Sequence, residues 1–122
     1  MRNTFISFYL RANRIHVHMD SLRGIGCPGR ICLMMDSIGR SLILAPYEKT
    51  DFKSHRVPNA VYNGDKGMEI SSYKLCHLVA DRNDWNPTLS YRIPGIILPE
   101  QKLAVFDMSK AETIEKNALC SD

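Results

Sequence analysis

Apolar and polar positions change rhythm along the chain in a repeating order. Residues Phe5 to Leu10 are almost all apolar or aromatic, the pattern of a strand covered on both faces. Arg14 to Met19 then alternates, with Ile15, Val17 and Met19 on one side and Arg14, His16 and His18 on the other, which predicts a half-buried strand. In the next stretch Asp20 offers a cap, Leu22 and Ile25 lie three apart, and Gly26 and Pro28 are stops, so a helix of one or two turns is expected. Arg30–Met35 and Ser41–Ala45 flank the turn residues Asp36 to Arg40 as a β-hairpin.

Between Glu48 and Lys66 no period is sustained, and this reads as a long loop or linker. Beyond it the same signals return. Gly67–Ser71 alternates as a strand, and Ser71 or Ser72 caps a longer helix from Tyr73 to about Ala80 with Leu75, Leu78 and Val79 as its apolar stripe. Thr88–Ile93 is a strand, Pro94-Gly95 a bend or bulge, and Ile96–Leu98 with Leu103–Phe106 a second hairpin. Ile15, Val17 and Leu22 then correspond to Met68, Ile70 and Leu75, and Leu42-Ile43-Leu44 to Leu103-Ala104-Val105. Ser109-x-x-Glu112 is a capping box, with Ile114 and Ala118 on one face of a short C-terminal helix.

The expected fold is therefore β-rich α+β. Two related strand-helix-hairpin halves, 1–50 and 67–122, are joined by a linker at 51–66 and packed into one pseudo-symmetric barrel. One copy alone is too small to bury its sheet, so the halves must pair within the chain or between chains.

Composition adds little until it is divided. The chain of 122 residues is 44% hydrophobic and 24% charged with a net charge of +3, ordinary for one globular unit. Residues 1–60 hold nine basic and four acidic side chains, and 61–122 hold seven and nine, so a basic half meets a mildly acidic one. That asymmetry suits phosphate or an acidic partner on the first half. No apolar run is long enough to span a bilayer, and the four cysteines show neither a C-x-x-C pair nor a disulfide framework, so a reduced cytoplasmic protein is expected.

Order and spacing in the first half resemble the AbrB-like swapped-hairpin family (AbrB and SpoVT regulators, MazE antitoxins and the two-copy MraZ regulators). The residues that carry the resemblance are Asn13-Arg14-Ile15-His16-Val17-His18, Ser21-Leu22-Arg23, Ile25-Gly26 and the hairpin Leu33–Tyr47, about 40 residues in all. Asn13 stands where the family has glycine and His18 where proline is common. The second half lacks both arginines, Lys74 being the nearest basic substitute. The resemblance implies a DNA-binding transcriptional regulator acting on duplex DNA as an oligomer, with Arg14, Arg23 and the adjacent Arg11 as DNA-binding residues. The rival reading is a non-catalytic interaction or scaffold protein that keeps the fold without binding DNA, its partner another protein.

Catalytic and metal chemistry find little support. No phosphate-cradling glycine loop, H-E-x-x-H, G-x-S-x-G or spaced carboxylate pair is present, and no enzyme activity and no cofactor are expected. His16 and His18 with Cys27 or Cys32 offer mixed nitrogen and sulfur ligands, but in no recognised finger spacing. Half-exposed strand imidazoles and a metal-free protein are the preferred reading. Cys76 and His77 are helix neighbours about 100° apart and cannot form a dyad by themselves. Trp85 is either a partner anchor or a ring folded back over the core, and the second is favoured.

Overall fold

The computed structural model describes residues 2–49 and 54–114. Among these residues nine strands and two α-helices build a nearly closed antiparallel barrel. The strands are β1 (Arg2–Tyr9), β2 (Arg14–Val17), β3 (Arg30–Met35), β4 (Ser41–Pro46), β5 (His55–Arg56), β6 (Met68–Ser71), β7 (Ser90–Leu98), β8 (Leu103–Asp107) and β9 (Glu112–Thr113). The helices are α1 (Met19–Gly24) and α2 (Tyr73–Arg82). In the sheet the order is β5-β3-β4-β8-β7-β1-β2-β6, with β9 added to β7, so the hairpins of the two sequence halves meet along β4 and β8.

Alternation explains the inside of the barrel. Thr4, Ile6 and Phe8 of β1, Ile15 and Val17 of β2, Leu42 and Leu44 of β4, Ile93 and Ile97 of β7, and Ala104 and Phe106 of β8 are all buried. Along each strand they are two residues apart, Gly95 filling the position between Ile93 and Ile97, so every strand turns one face inward. Both helices lay their apolar positions on this core: Leu22 of α1 and Cys76 and Val79 of α2 are buried. α1 packs against β1, β7 and β8, and α2 against β2 and the Leu10–Ala12 turn.

The helix ends are built alike. At the end of α1 the Cys27 amide donates to the Leu22 carbonyl (2.9 Å) and the Gly26 amide to Arg23 (3.1 Å), with Gly26 at φ 101°. At the end of α2 the Trp85 amide donates to Ala80 (2.9 Å) and the Asp84 amide to Asp81 (3.4 Å), with Asp84 at φ 54°. Both are Schellman closures, which need a left-handed residue just past the helix. At the other end, Ser72 caps α2 by accepting from the Leu75 amide, but α1 is not capped by Asp20. His18 occupies that N-cap position without a side-chain bond, and Asp20, two residues on in the first turn, accepts the Thr4 hydroxyl at 2.8 Å. Thr4 and Ser21 share a further buried bond of 2.6 Å, so this polar group ties α1 to β1.

Several expectations are corrected. The capping box at Ser109 starts no α-helix. The Asp107 carboxylate accepts the Ser109 amide and hydroxyl, closing a 3-10 turn over Met108–Lys110, and Glu112 and Thr113 pair with Arg92 and Tyr91 as β9. Pairing to β7 satisfies backbone groups that a helix would have bonded internally. Ala118 lies outside the described residues. Pro94-Gly95 makes no break. β7 runs through them, with Pro94 in the gap between the β9 and β8 ladders, where proline is tolerated. Within the expected linker, β5 pairs with Arg30 and Ile31, and Asn59–Asn63 forms a 3-10 turn.

Candidate functional site

Arg11 and Arg14 come together at one end of the barrel. Arg11 lies in the tight Leu10–Ala12 turn between β1 and β2, which closes on Asn13 in the left-handed conformation (φ 54°, ψ 40°). Arg14 opens β2, on the solvent-facing side of the alternation. Both are exposed and line one open cleft of about 870 Å³ with Tyr9, Thr88, Leu89 and Ser90. Arg14 also faces Glu69 across the β2–β6 pair at 3.3 Å. Arg11 makes no hydrogen bond or ion pair among the described residues.

Arg23 lies elsewhere. It leaves the last turn of α1 and lines a separate cleft of about 390 Å³ with Arg2, His18, Asp20 and Asp65. Its guanidinium donates to the Gly64 carbonyl at 3.0 Å and sits 3.8 Å from the Asp65 carboxylate. β2 separates the two places: Arg14 starts the strand, and α1 begins two residues beyond its end. The three expected arginines therefore form one pair and one outlier.

His16 and His18 pack edge to face, with centroids 4.9 Å apart, and Phe5 flanks His18 at 6.5 Å. Burial holds the His18 pKa below the ordinary imidazole value, with the His16 and Arg92 charges acting in the same direction and Asp20 opposing them. Its Nε2 atom is buried without a hydrogen-bond partner. His55 is depressed too, by burial and then by Arg30. Among the described residues no three His, Cys, Asp or Glu side chains gather as a metal-ligand set.

The depressed pKa values of His18 and His55 make stability depend on pH. Both pKa values are lower in the folded chain, so as pH falls below about 6.5 the unfolded chain takes up protons first. The stabilising contribution is whole above that pH and is lost as pH falls through the folded values. The urea midpoint is expected to drop between pH 7.5 and 5.5, and His18→Gln is expected to flatten part of that slope. A midpoint that rises on acidification contradicts the account.

Cys76 is buried, its thiol pushed up to about 11 by desolvation, while His77 is exposed and stacks on Tyr73 at 3.8 Å, so the two do not act on one another. Trp85 folds back over the core, stacked on Tyr91 at 4.3 Å and edge-on to Phe8 at 6.1 Å. Among the described cysteines Cys27 is exposed and free, and Cys32 is buried.

Sequence reasoning did not find Tyr9, Thr88, Leu89, Ser90 or Glu69 as companions of the arginines. Their placement comes from pairing over long distances: Tyr9 with Ser90, and Arg14 with Ser71. No helix among the described residues is long and apolar enough to cross a membrane. Compared with protein-family models, curated proteins and solved structures, the chain has no significant match.

Proposed function

We propose that the chain is a two-copy AbrB-like barrel that works in the cytoplasm as a DNA-binding transcriptional regulator, with no enzymatic role, the first half carrying the DNA contacts. Strand pairing supports the two-copy reading. Exchanging β1 with β5, β2 with β6, β3 with β7 and β4 with β8 turns β1–β7 into β5–β3 and β3–β4 into β7–β8, and maps β2–β6 and β4–β8 onto themselves. Among these eight strands only β1–β2 lacks its counterpart. Ile15 opposite Ile70 and Val17 opposite Met68 exchange in the same way, and both helices end in the same closure. In the hairpins the correspondence shifts by one residue from the sequence expectation. Leu42 and Leu44 face inward, and so do Ala104 and Phe106, whereas Leu103 and Val105 do not. The left-handed Asn13 also suits a position that the family fills with glycine.

The observation that carries the DNA reading is the pairing of exposed Arg11 and Arg14 on one open cleft. Guanidinium groups contact phosphate bidentately, and a strand start beside a tight turn limits the entropy lost when they do. Arg14 is engaged only by an exposed ion pair, worth about 0–1 kcal/mol, which a phosphate can replace. Arg23 adds a second contact from the far end of β2. The test is a fluorescence titration against pooled duplex fragments. Saturable binding that weakens with salt is expected, and no binding at low salt eliminates the DNA reading.

One surface favours the rival. Met34, Ile43, Val105 and Ile96 are register partners across β3, β4, β8 and β7 and form an apolar row on the outside of the barrel, with Met34 and Ile96 exposed. Such a row suits a protein partner or a second copy. If DNA binding fails, the interaction-protein reading takes its place.

A further inference from the structure

The two halves treat corresponding spaces differently. Between β5 and β6 the connection is long, and its 3-10 turn at Asn59–Asn63 brings Tyr62 onto the first half. There the Tyr62 hydroxyl donates to the Pro28 carbonyl at 2.6 Å. Pro28 lies three residues before the buried Ile31 of β3, as Ser90 lies three before the buried Ile93 of β7. Between β1 and β2 the connection is only Leu10–Asn13, and no side chain from it bonds to Ser90. Ser90, the residue that corresponds to Pro28, instead lines an open cleft of about 870 Å³.

The chemistry of that cleft is specific in kind. Arg11 supplies a guanidinium with no partner among the described residues, and Arg14 supplies a second that is shared with exposed Glu69. The Ser90 hydroxyl makes no hydrogen bond among the described residues and adds a donor. Tyr9 and Leu89, the latter 40% exposed, give an aromatic and an aliphatic wall. A volume of this size falls within the range of about 300–1,000 Å³ typical of small-molecule sites. Two cationic forks with a hydroxyl suit a phosphate, and an aromatic wall beside them suits a planar base or a sugar.

We propose that this cleft binds one nucleotide unit, its phosphate held by Arg11, Arg14 and Ser90 and its base or sugar set against Tyr9 and Leu89. The unit comes either from a nucleic-acid strand or from a free nucleotide. The proposal deepens the DNA reading by taking two of its arginines, and it gives the site to one half only, since at the corresponding Pro28 the carbonyl is taken by the Tyr62 hydroxyl.

The experiment is amide NMR on the full chain, titrated separately with thymidine monophosphate, an eight-nucleotide oligothymidylate, inorganic phosphate and duplex DNA. Nucleotide probes are expected to shift the amides of Arg11–Arg14 and Leu89–Ser90. Arg11→Ala is expected to weaken them at least about tenfold, and Lys102→Ala, at an exposed cation beyond the far end of β7, to leave them unchanged. The unliganded spectrum of each variant verifies that it is folded. Tighter binding of the oligonucleotide marks a strand as the source, and equal binding of the monophosphate marks a free nucleotide. Nucleotide binding at the cleft without duplex binding keeps this proposal and removes the DNA reading. Duplex binding that shifts the Arg11–Arg14 amides, with no shift from any nucleotide probe, does the reverse. No nucleotide-induced shifts at the cleft, or inorganic phosphate binding as tightly as the nucleotides, overturns the proposal.

Discussion

Phe106→Ala is expected to cost about 3–5 kcal/mol, a large part of the stability of a domain this size. Phe106 is fully buried on β8 and lies directly opposite Gly95 on β7. A methyl group added at Gly95 would stand 2.4 Å from the Phe106 ring and 2.7 Å from the Val105 carbonyl oxygen. The glycine is there because the ring occupies its side-chain space. Gly95→Ala in the native background is therefore expected to cost about 1–3 kcal/mol through overpacking. In the Phe106→Ala background the ring clash is gone, and the same substitution should cost distinctly less. Urea denaturation of the four proteins measures the coupling, and contacting residues characteristically couple by about 0.5–3 kcal/mol. Additive costs would mean that Gly95 does not face Phe106, and the β7–β8 pair would need another register.

Arg11→Ala with Arg14→Ala is expected to remove about a hundredfold or more in affinity for duplex DNA, while folding stability stays within about 0.5 kcal/mol. Both side chains are exposed, so little packing is lost. Arg23→Ala should cost less, because its guanidinium is already held by the Gly64 carbonyl and faces Asp65, and both contacts must be given up for a phosphate. Equal losses from Arg23→Ala and from the pair would show that the two ends of β2 act as one surface.

Local periodicity made much of the fold legible. Ile15 and Val17, Leu42 and Leu44, and the Ser72 cap of α2 each declare themselves within a few residues, because alternation and capping are short-range physics. β5 and β9 have two residues each, too few for any period, and they exist only because β3 and β7 present free edges to them. Asp20 looked like a cap by type. Its tie to Thr4, 16 residues away, depends on how α1 packs on β1. At the candidate site Arg11 and Arg14 were legible from the resemblance, since they sit in a short turn and at the strand that follows it. Leu89 and Ser90 were not, because the β1–β7 register that brings them to Tyr9 joins residues about 80 positions apart. The separation of Arg23 from the other two has the same origin: linear spacing of nine residues hides a strand that carries the chain to the opposite end.

The central claim is that duplex DNA is held through phosphate contacts at Arg11 and Arg14. The most direct measurement is the dependence of log Kd on log salt for the native chain and for the Arg11→Ala, Arg14→Ala double variant, followed by fluorescence anisotropy on a labelled duplex. Each phosphate contact contributes about one to the slope, so the native chain is expected to bind with a steep salt dependence and the double variant with a slope lower by about two. Identical slopes for the two proteins, or no binding by the native chain at low salt, would contradict the claim.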